Sequence, residues 1–136
     1  MQALAGKLGV SRRVHFTGPL KDVRPWYGAA DGFVLPTLYD PCPNAALEAF
    51  ASGLPVVTST TCGAQEWVQP GRNGWVVDAV DEAGLALRLD DLADLAGNAA
   101  ARAAARRGVE ALTLPAMADR LLTLYRSIGG VAAGRV

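Results

Sequence analysis

The sequence has 136 residues, of which 51% are hydrophobic and 19% charged, so it has the size and the apolar content of one domain or part of one. Thirteen Lys and Arg residues balance thirteen Asp and Glu residues, which leaves no broad basic field and excludes a typical nucleic-acid-binding domain. No apolar run approaches the roughly 18 residues that cross a membrane, and the N-terminus lacks the pattern of a secretory signal. We therefore expect a cytoplasmic chain with no transmembrane segment and no nucleic-acid partner.

Short β-branched runs bounded by Gly or Pro alternate with segments of helical periodicity along most of the chain. After the end of a helix at residues 2–8, the predicted order is strand 14–18, helix 23–30, strand 32–36, helix 44–52, strand 55–59, a helical turn at 64–68 and strand 74–78. Trp26 and Tyr27 are expected to pack their helix on the sheet. Because parallel strands need a crossover that a helix supplies, the alternation predicts an α/β fold with a Rossmann-like parallel sheet.

The C-terminal third is predicted to be helical. Helical periodicity covers residues 81–95, 99–112 and 115–128, with Pro115 suited to a first helical turn and the Gly pair at 129–130 suited to a stop. Residues 1–128 are therefore taken as the folded domain. Residues 129–136 lack periodicity, and we expect them to form a frayed tail.

Two groups of residues could suggest a metal site. The acidic residues of segment 78–94 could hold a divalent cation, but Asp81 and Glu82 fall where a helix begins and negative charge is favourable, so we favour helix capping and a solvated face. Cys42 and Cys62 are twenty positions apart, with no second ligand at zinc spacing. We expect two free thiols, no metal and no cofactor.

The segment most informative about chemistry is residues 35–57. A strand ends at Pro36, a Pro-rich loop follows, and a helix begins at about Asn44, a favoured N-cap residue. This arrangement places the unpaired N–H groups and the positive end of the helix dipole at the carboxyl edge of a parallel sheet, where α/β proteins bind phosphate. Asp40 and Glu48 lie eight positions apart around the helix start. A carboxylate accepts two hydrogen bonds at once, which suits the vicinal hydroxyls of a ribose or a hexose.

This segment resembles the donor-binding signature of family-four retaining glycosyltransferases of GT-B fold, which is a carboxylate, seven residues, a Glu, and a helix of small residues ending in Gly-x-Pro-Val-Val. Here the signature reads Asp40, seven residues, and then Glu48-Ala-Phe-Ala-Ser-Gly-Leu-Pro-Val-Val. Two positions depart from the pattern, because Asp40 replaces the usual Glu and Pro43 replaces a common Gly. Further segments resemble landmarks of the family in the family's order, namely residues 14–18, 29–36, 63–66 and 71–77.

The resemblance implies a C-terminal, donor-binding domain of an enzyme that transfers a sugar from a nucleotide-sugar donor with retention, in a cleft between two Rossmann-like domains. By this analogy Glu48 holds the ribose hydroxyls of the donor. Asp40 is the catalytic carboxylate, which contacts the hydroxyls of the donor sugar and helps to position its anomeric centre. The backbone amides around Cys42, Asn44 and Ala45 face the diphosphate.

The resemblance also implies features that precede or surround this segment. Base recognition is expected to use backbone groups near Gly18 and Leu20. Family members carry an Arg and a Lys that neutralise the diphosphate, and an N-terminal acceptor domain, and we expect both to be missing here. The nearest basic residues, Lys21 and Arg24, are interpreted as surface residues. The isolated chain is therefore expected to be inactive without its acceptor domain, and the full enzyme could be peripheral to a membrane.

Simpler interpretations remain open. Asp40, which precedes Pro41, could be only a turn former, and Glu48 could be an ordinary exposed helix residue. At the level of function, the chain could be a non-catalytic nucleotide- or sugar-binding module, or part of another GT-B enzyme such as a sugar-nucleotide epimerase.

The expected sheet order has a consequence for residues 14–18. If the domain has the doubly wound order 3-2-1-4-5-6, strands 1 and 2 precede this chain and residues 14–18 are strand 3. The missing central strands would leave the strand at 32–36 with an unpaired edge. We expect either that strand 3 moves onto this edge or that two chains pair through it as a homodimer.

Overall fold

The computed structural model describes residues 1–129. In chain order the elements are helix α1 (Gln2–Lys7), helix α2 (Arg24–Ala29), strand β1 (Phe33–Leu35), helix α3 (Asn44–Ala51), strand β2 (Val56–Ser59), a 3-10 helix (Gly63–Trp67), strand β3 (Gly74–Val77) and helices α4 (Glu82–Leu95), α5 (Ala99–Val109) and α6 (Leu114–Gly129). The predicted α/β class and the helical C-terminal third are confirmed.

The three strands form one parallel sheet in the order β1-β2-β3. Val34 is paired with Val57, and Thr58 with Val76. Strand β2 lies between the other two, and all four of its residues are buried. A strand covered on both faces has to be apolar or internally hydrogen-bonded throughout, which explains the sequence Val-Val-Thr-Ser in place of a polar and apolar alternation.

Two hydrophobic clusters lie on opposite faces of the sheet because successive side chains of a strand point in opposite directions. Val56 belongs to the cluster formed with α3 and α5, which includes Phe50 and Ala105. Val57 belongs to the cluster formed with β3 and α4, which includes Leu92. The buried face of α5 consists largely of alanine, so α5 can approach α3 closely.

The predicted strand at residues 14–18 is wrong. Within the described part of the chain these residues pair with no strand, and Phe16 is about half exposed. A strand is stable only when a neighbour accepts and donates its backbone hydrogen bonds, and the local β propensity of this segment does not provide one. Among residues 1–129, strand β1 pairs only with β2, so it is an edge strand as expected. The predicted movement of residues 14–18 onto this edge is also wrong, and pairing with a second chain stays a prediction.

The remaining predicted elements are confirmed to within a few residues, and side chains cap three of the helices. Asp81 Oδ1 accepts a hydrogen bond from Gly84 N at 2.9 Å at the start of α4, as the capping interpretation of the acidic segment predicted. Asn98 caps α5 and Thr113 caps α6 in the same way. Helix α6 continues through Gly129, so the predicted tail begins too early, and residues 130–136 lie outside the described residues.

None of the helices formed by residues 1–129 is both long and apolar enough to cross a bilayer.

Candidate functional site

The loop between β1 and α3 carries Asp40 and Cys42, and hydroxyl groups from β2 and the residues after it hold its first part in place. Thr58 Oγ1 donates to the carbonyl oxygen of Leu35 at 3.0 Å. Ser59 Oγ and Thr61 Oγ1 both donate to the carbonyl oxygen of Thr37, at 2.5 and 2.7 Å. Thr58 and Ser59 are fully buried. These hydrogen bonds therefore fix the start of the loop relative to the central strand β2.

Asp40 is held by its backbone and by its side chain. Its backbone is bound to the start of the 3-10 helix, and one of its carboxylate oxygens is bound within the loop. Its carbonyl oxygen accepts from Gly63 N at 2.8 Å. Its Oδ1 accepts from Cys42 N at 3.2 Å, which is an Asx-turn. Asp40 therefore forms a turn in the loop. The second oxygen, Oδ2, makes no hydrogen bond to the described residues, so it is available for a ligand.

Gly63 allows the loop to lie directly against the start of the 3-10 helix. A Cβ atom at this position would lie 1.8 Å from the carbonyl oxygen of Pro41. Because this distance is far below van der Waals contact, only Gly is compatible with the observed loop. Gly63 therefore holds the loop that carries Asp40 and Cys42 in its present position.

Helix α3 begins without a side-chain cap. The N-cap residue is Pro43, with φ −71° and ψ 107°, and Asn44 is the first helical residue. The expectation that Asn44 caps the helix is therefore wrong. Asn44 lies inside the first turn, and its side chain accepts no capping hydrogen bond. The N–H groups of Asn44 and Ala45 donate to no acceptor among residues 1–129, and both residues are exposed. Two unpaired backbone donors thus belong to exposed residues at the positive end of α3.

Glu48 follows one turn later on α3, is exposed, and is contacted by a tyrosine from α2. The hydroxyl of Tyr27 lies 3.2 Å from Glu48 Oε2 and 3.2 Å from the carbonyl oxygen of Ala45. Burial of the ring, followed by the negative charge of Glu48 and its hydrogen bond, raises the pKa of Tyr27.

The sequence interpretation assigned Tyr27 only to packing, which is half of its role. Its ring does pack on the core, with its centroid 6.0 Å from that of Phe33. The contact with Glu48 spans 21 positions along the chain, and no local pattern signals it. Trp26 was expected to pack in the same way, but it is 52% exposed. Adjacent residues of a helix point in different directions, so Trp26 and Tyr27 cannot both face the core.

Of the two residues predicted to lie near the base, Leu20 lines a cleft that Tyr27 also lines. Leu20 lines a cleft of about 330 Å³ together with Tyr27, Phe33 and Leu54. Gly18 does not line this cleft and adopts a left-handed conformation with φ +64°. Tyr27 therefore connects the cleft at Leu20 with the carboxylate of Glu48.

The basic residues near this cleft are on the surface, as predicted. The guanidinium of Arg24 is 87% exposed and pairs with Asp22, with 2.9 Å between Nε and Oδ1. The hydrogen bond from Arg24 lowers the pKa of Asp22, and the same bond raises the pKa of Arg24. Arg24 is thus already paired with a carboxylate.

Both cysteines are free thiols, as predicted. Cys42 is exposed in the loop, and Cys62 is buried beside Ala46 and Ala64. Within residues 1–129, His, Cys, Asp and Glu side chains form no group of three or more that could hold a metal ion.

The chain is similar in sequence to curated glycosyltransferases. The chain is 37% identical over 131 residues to the lipopolysaccharide core biosynthesis glycosyltransferase LpsE of Rhizobium meliloti, a match that covers 93% of this chain and 38% of that protein. It is 33% identical over 141 residues to a D-inositol 3-phosphate glycosyltransferase of Thermomonospora curvata, covering 98% of this chain and 33% of that protein. The chain thus spans about a third of the length of these relatives.

A solved structure and a family model also match the chain. The structure superposes on sucrose-phosphate synthase from Thermosynechococcus elongatus with a TM-score of 0.82 and 32% identity, over 96% of this chain and 34% of that one. The parallel sheet and its helices therefore correspond to a Rossmann-like part of the GT-B fold. The family model for glycosyl transferases group 1 matches residues 1–95. The chain belongs to the glycosyl transferases group 1 family.

Proposed function

We propose that this chain binds the nucleotide-sugar donor of a retaining glycosyltransferase. The observation that supports the proposal best is the pair of unpaired N–H groups at Asn44 and Ala45, one helical turn before the exposed carboxylate of Glu48. Backbone donors at a helix N-terminus bind phosphate oxygens, and a carboxylate accepts from vicinal hydroxyls. A nucleoside diphosphate carries both groups next to each other.

The proposed roles follow the chemistry of each group. The amides of residues 42–45 bind the diphosphate, with Asn44 and Ala45 as the principal donors. Glu48 accepts hydrogen bonds from the ribose. Asp40 uses Oδ2, which is unoccupied by the turn, to bind hydroxyls of the donor sugar and to position its anomeric carbon. No metal or other cofactor has a role in this proposal.

The base is proposed to lie toward Leu20 and Gly18. Leu20 and Tyr27 line the same apolar cleft, and the hydroxyl of Tyr27 reaches Glu48. A planar base can bury its faces against such apolar walls. Recognition of the base edge would then use backbone groups of the segment around Gly18.

Sugar transfer is proposed to require a separate acceptor-binding domain. Transfer needs the leaving diphosphate to be neutralised, the acceptor hydroxyl to be placed on the donor and water to be excluded. The guanidinium of Arg24, which follows the cleft residue Val23, pairs with Asp22. By analogy with relatives named for lipopolysaccharide core biosynthesis and for inositol 3-phosphate, the acceptor is proposed to be a carbohydrate or polyol hydroxyl. We expect the 136-residue chain to show no turnover by itself.

Calorimetric titration of the chain with UDP, GDP and ADP tests the proposal. We expect micromolar or weaker binding of at least one of them. Glu48→Ala should weaken this binding by about tenfold or more, because hydrogen bonds to a charged group contribute roughly 1.5–3 kcal/mol. Glu110→Ala, at an exposed glutamate that follows α5, is the matched control and should bind like the wild type. Equal affinities of the wild type and Glu48→Ala would show that the ribose assignment is wrong.

A further inference from the structure

The ring of Tyr27 packs against the core, and its hydroxyl lies within hydrogen-bond distance of acceptors on α3. The ring belongs to the partly buried shell of the core cluster and is tilted by 59° against Phe33. The hydroxyl projects from α2 to α3, where Glu48 and Ala45 offer acceptors at 3.2 Å. The ring therefore gives the hydroxyl a fixed position relative to the helix that carries the proposed ribose-binding group.

The hydroxyl of Tyr27 has one proton to donate and two acceptors within reach. The charge of each acceptor determines which of them receives the proton. Glu48 offers a carboxylate, whereas Ala45 offers a neutral carbonyl oxygen. Hydrogen bonds to an ionised acceptor are roughly twice as strong as those to a neutral one, so the proton is donated chiefly to Glu48 Oε2. Burial and the charge of Glu48 also raise the pKa of Tyr27, which keeps the phenol protonated as a donor.

We propose that Tyr27 is a positioning residue that orients the Glu48 carboxylate for the ribose of the donor, an inference that rests on the proposed function. Among residues 1–129, the hydrogen bond from Tyr27 is the only one made to the Glu48 side chain. Without it, an exposed glutamate samples several rotamers and loses that freedom on binding. With Oε2 held by Tyr27, Oε1 and the second lone pair of Oε2 remain free for two sugar hydroxyls.

This role has a consequence that simple packing does not have. A correctly oriented carboxylate gains more from a ribose, with 2′ and 3′ hydroxyls, than from a 2′-deoxyribose. Tyr27 should therefore increase the preference of the site for ribonucleotides. A residue that only packs the helices would affect both kinds of nucleotide equally.

The test compares the dissociation constants of UDP, GDP and ADP with those of their 2′-deoxy counterparts, by calorimetry on the full chain. For a nucleotide that binds, the wild type should prefer the ribose form. Tyr27→Phe should reduce this preference about three- to tenfold, the worth of one hydrogen bond, and change the affinity for the deoxy form less than twofold. Tyr125→Phe, at an exposed tyrosine on α6, is the matched control and should keep the wild-type preference.

The outcomes separate the inference from the proposed function. If Glu48→Ala loses the ribose preference but Tyr27→Phe keeps it, Tyr27 is not a positioning residue and the ribose assignment stands. Equal weakening of both nucleotide forms by Tyr27→Phe would also overturn the inference, since it indicates a structural role. If the ribose preference persists in Glu48→Ala, the ribose assignment of the proposed function is itself wrong.

A second readout is available if Tyr27→Phe does not fold. The chain has three tyrosines, so 3,5-difluorotyrosine can be restricted to position 27 in a Tyr39→Phe, Tyr125→Phe background. Fluorination acidifies the phenol while it preserves the ring. The ribose preference should then fall as the pH is raised and the donor proton is lost. A preference that stays constant while the fluorinated phenol ionises would contradict the inference.

Discussion

At the residue scale, the site depends on two positions where a single atom determines the geometry. A side chain at Gly63 would overlap Pro41, and the hydroxyl of Tyr27 is the group that contacts the carboxylate of Glu48. Both residues lie outside the segment between Asp40 and Glu48 that carries the sequence signature. Their contributions can be measured separately because one acts through steric contact and the other through a proton.

We expect Gly63→Ala to destabilise the chain and to weaken nucleotide binding. The added methyl group would lie 1.8 Å from the carbonyl oxygen of Pro41, so the loop must move, at a cost of about 1–3 kcal/mol for an overpacked site. Urea denaturation measures the change in stability, and calorimetry measures the change in binding.

Gly28→Ala is the control for this substitution. Gly28 lies in helix α2 and has open space around it, so alanine there should be neutral or should stabilise by roughly 0.5–1 kcal/mol. Equal stability of Gly63→Ala and the wild type would contradict the close approach of the loop.

The raised pKa of Tyr27 predicts a loss of stability at high pH. Burial and the negative charge of Glu48 raise the pKa of Tyr27 in the folded state, whereas the unfolded value is about 10. Over the interval between these values the folded state binds more protons than the unfolded state, so stability decreases as the pH rises. The contribution is fully present below pH ~10 and is lost as the pH rises through the folded-state pKa.

Urea denaturation at pH 8 to 12 measures this effect. Tyr27→Phe should show a smaller decrease of stability above pH ~10 than the wild type, and Tyr125→Phe should not. Parallel decreases in all three proteins would mean that Tyr27 does not retain its proton in the fold.

At the scale of elements, three parallel strands and the helices on both faces present the start of α3 at the edge of the sheet. The carboxyl end of β1 leads into the loop, and the hydroxyls of Ser59 and Thr61 fix the carbonyl oxygen of Thr37 within it. The helices differ in how they begin. Asn98 accepts hydrogen bonds from two N–H groups of α5, whereas the N-cap residue of α3 is Pro43, whose side chain has no acceptor.

This difference predicts opposite behaviour of two asparagines. Asn98→Ala removes the acceptor of two backbone donors and should destabilise the chain by about 1 kcal/mol. Asn44→Ala should change stability little, because Asn44 accepts no capping hydrogen bond. It should also preserve nucleotide binding, since the proposed donor is the backbone N–H. Thermal denaturation and calorimetry measure the two effects, and a loss of stability in Asn44→Ala similar to that in Asn98→Ala would contradict the assignment of Pro43 as N-cap.

At the scale of the whole molecule, two surfaces remain largely uncovered by the described residues. One is the outer edge of β1, which pairs only with β2. The other is helix α6, whose apolar side chains are largely exposed, with Leu114 at 77% and Ile128 at 73%. Unpaired strand edges and contiguous apolar surface both favour association with another chain.

We therefore expect the chain to form dimers at micromolar concentration through the edge of β1, as measured by light scattering. A variant with Leu121→Glu and Leu124→Glu in α6 distinguishes the two surfaces. It should remain dimeric if the strand edge pairs, and it should become monomeric if α6 mediates the contact. A wild-type chain that is monomeric at these concentrations would exclude association through either surface.

The sequence alone determined much of the architecture. Periodicity, Gly and Pro located six helices and three strands because these signals are local, and right-handed crossovers then implied a parallel sheet. The resemblance of the segment from Asp40 to Glu48 to a family signature indicated a candidate site at the start of α3, because all the residues of that signature are contiguous in the sequence.

Only the tertiary structure decided the remaining points. Residues 14–18 have the composition of a strand, but a strand also needs a neighbour, and none of the described residues supplies one. The capping role of Pro43 in place of Asn44 depends on the angle at which the loop enters α3, which the 3-10 helix at Gly63 helps to set. The contact of Tyr27 with Glu48 joins two residues that are 21 positions apart in the chain, and it exists only after helices α2 and α3 have both packed on the sheet.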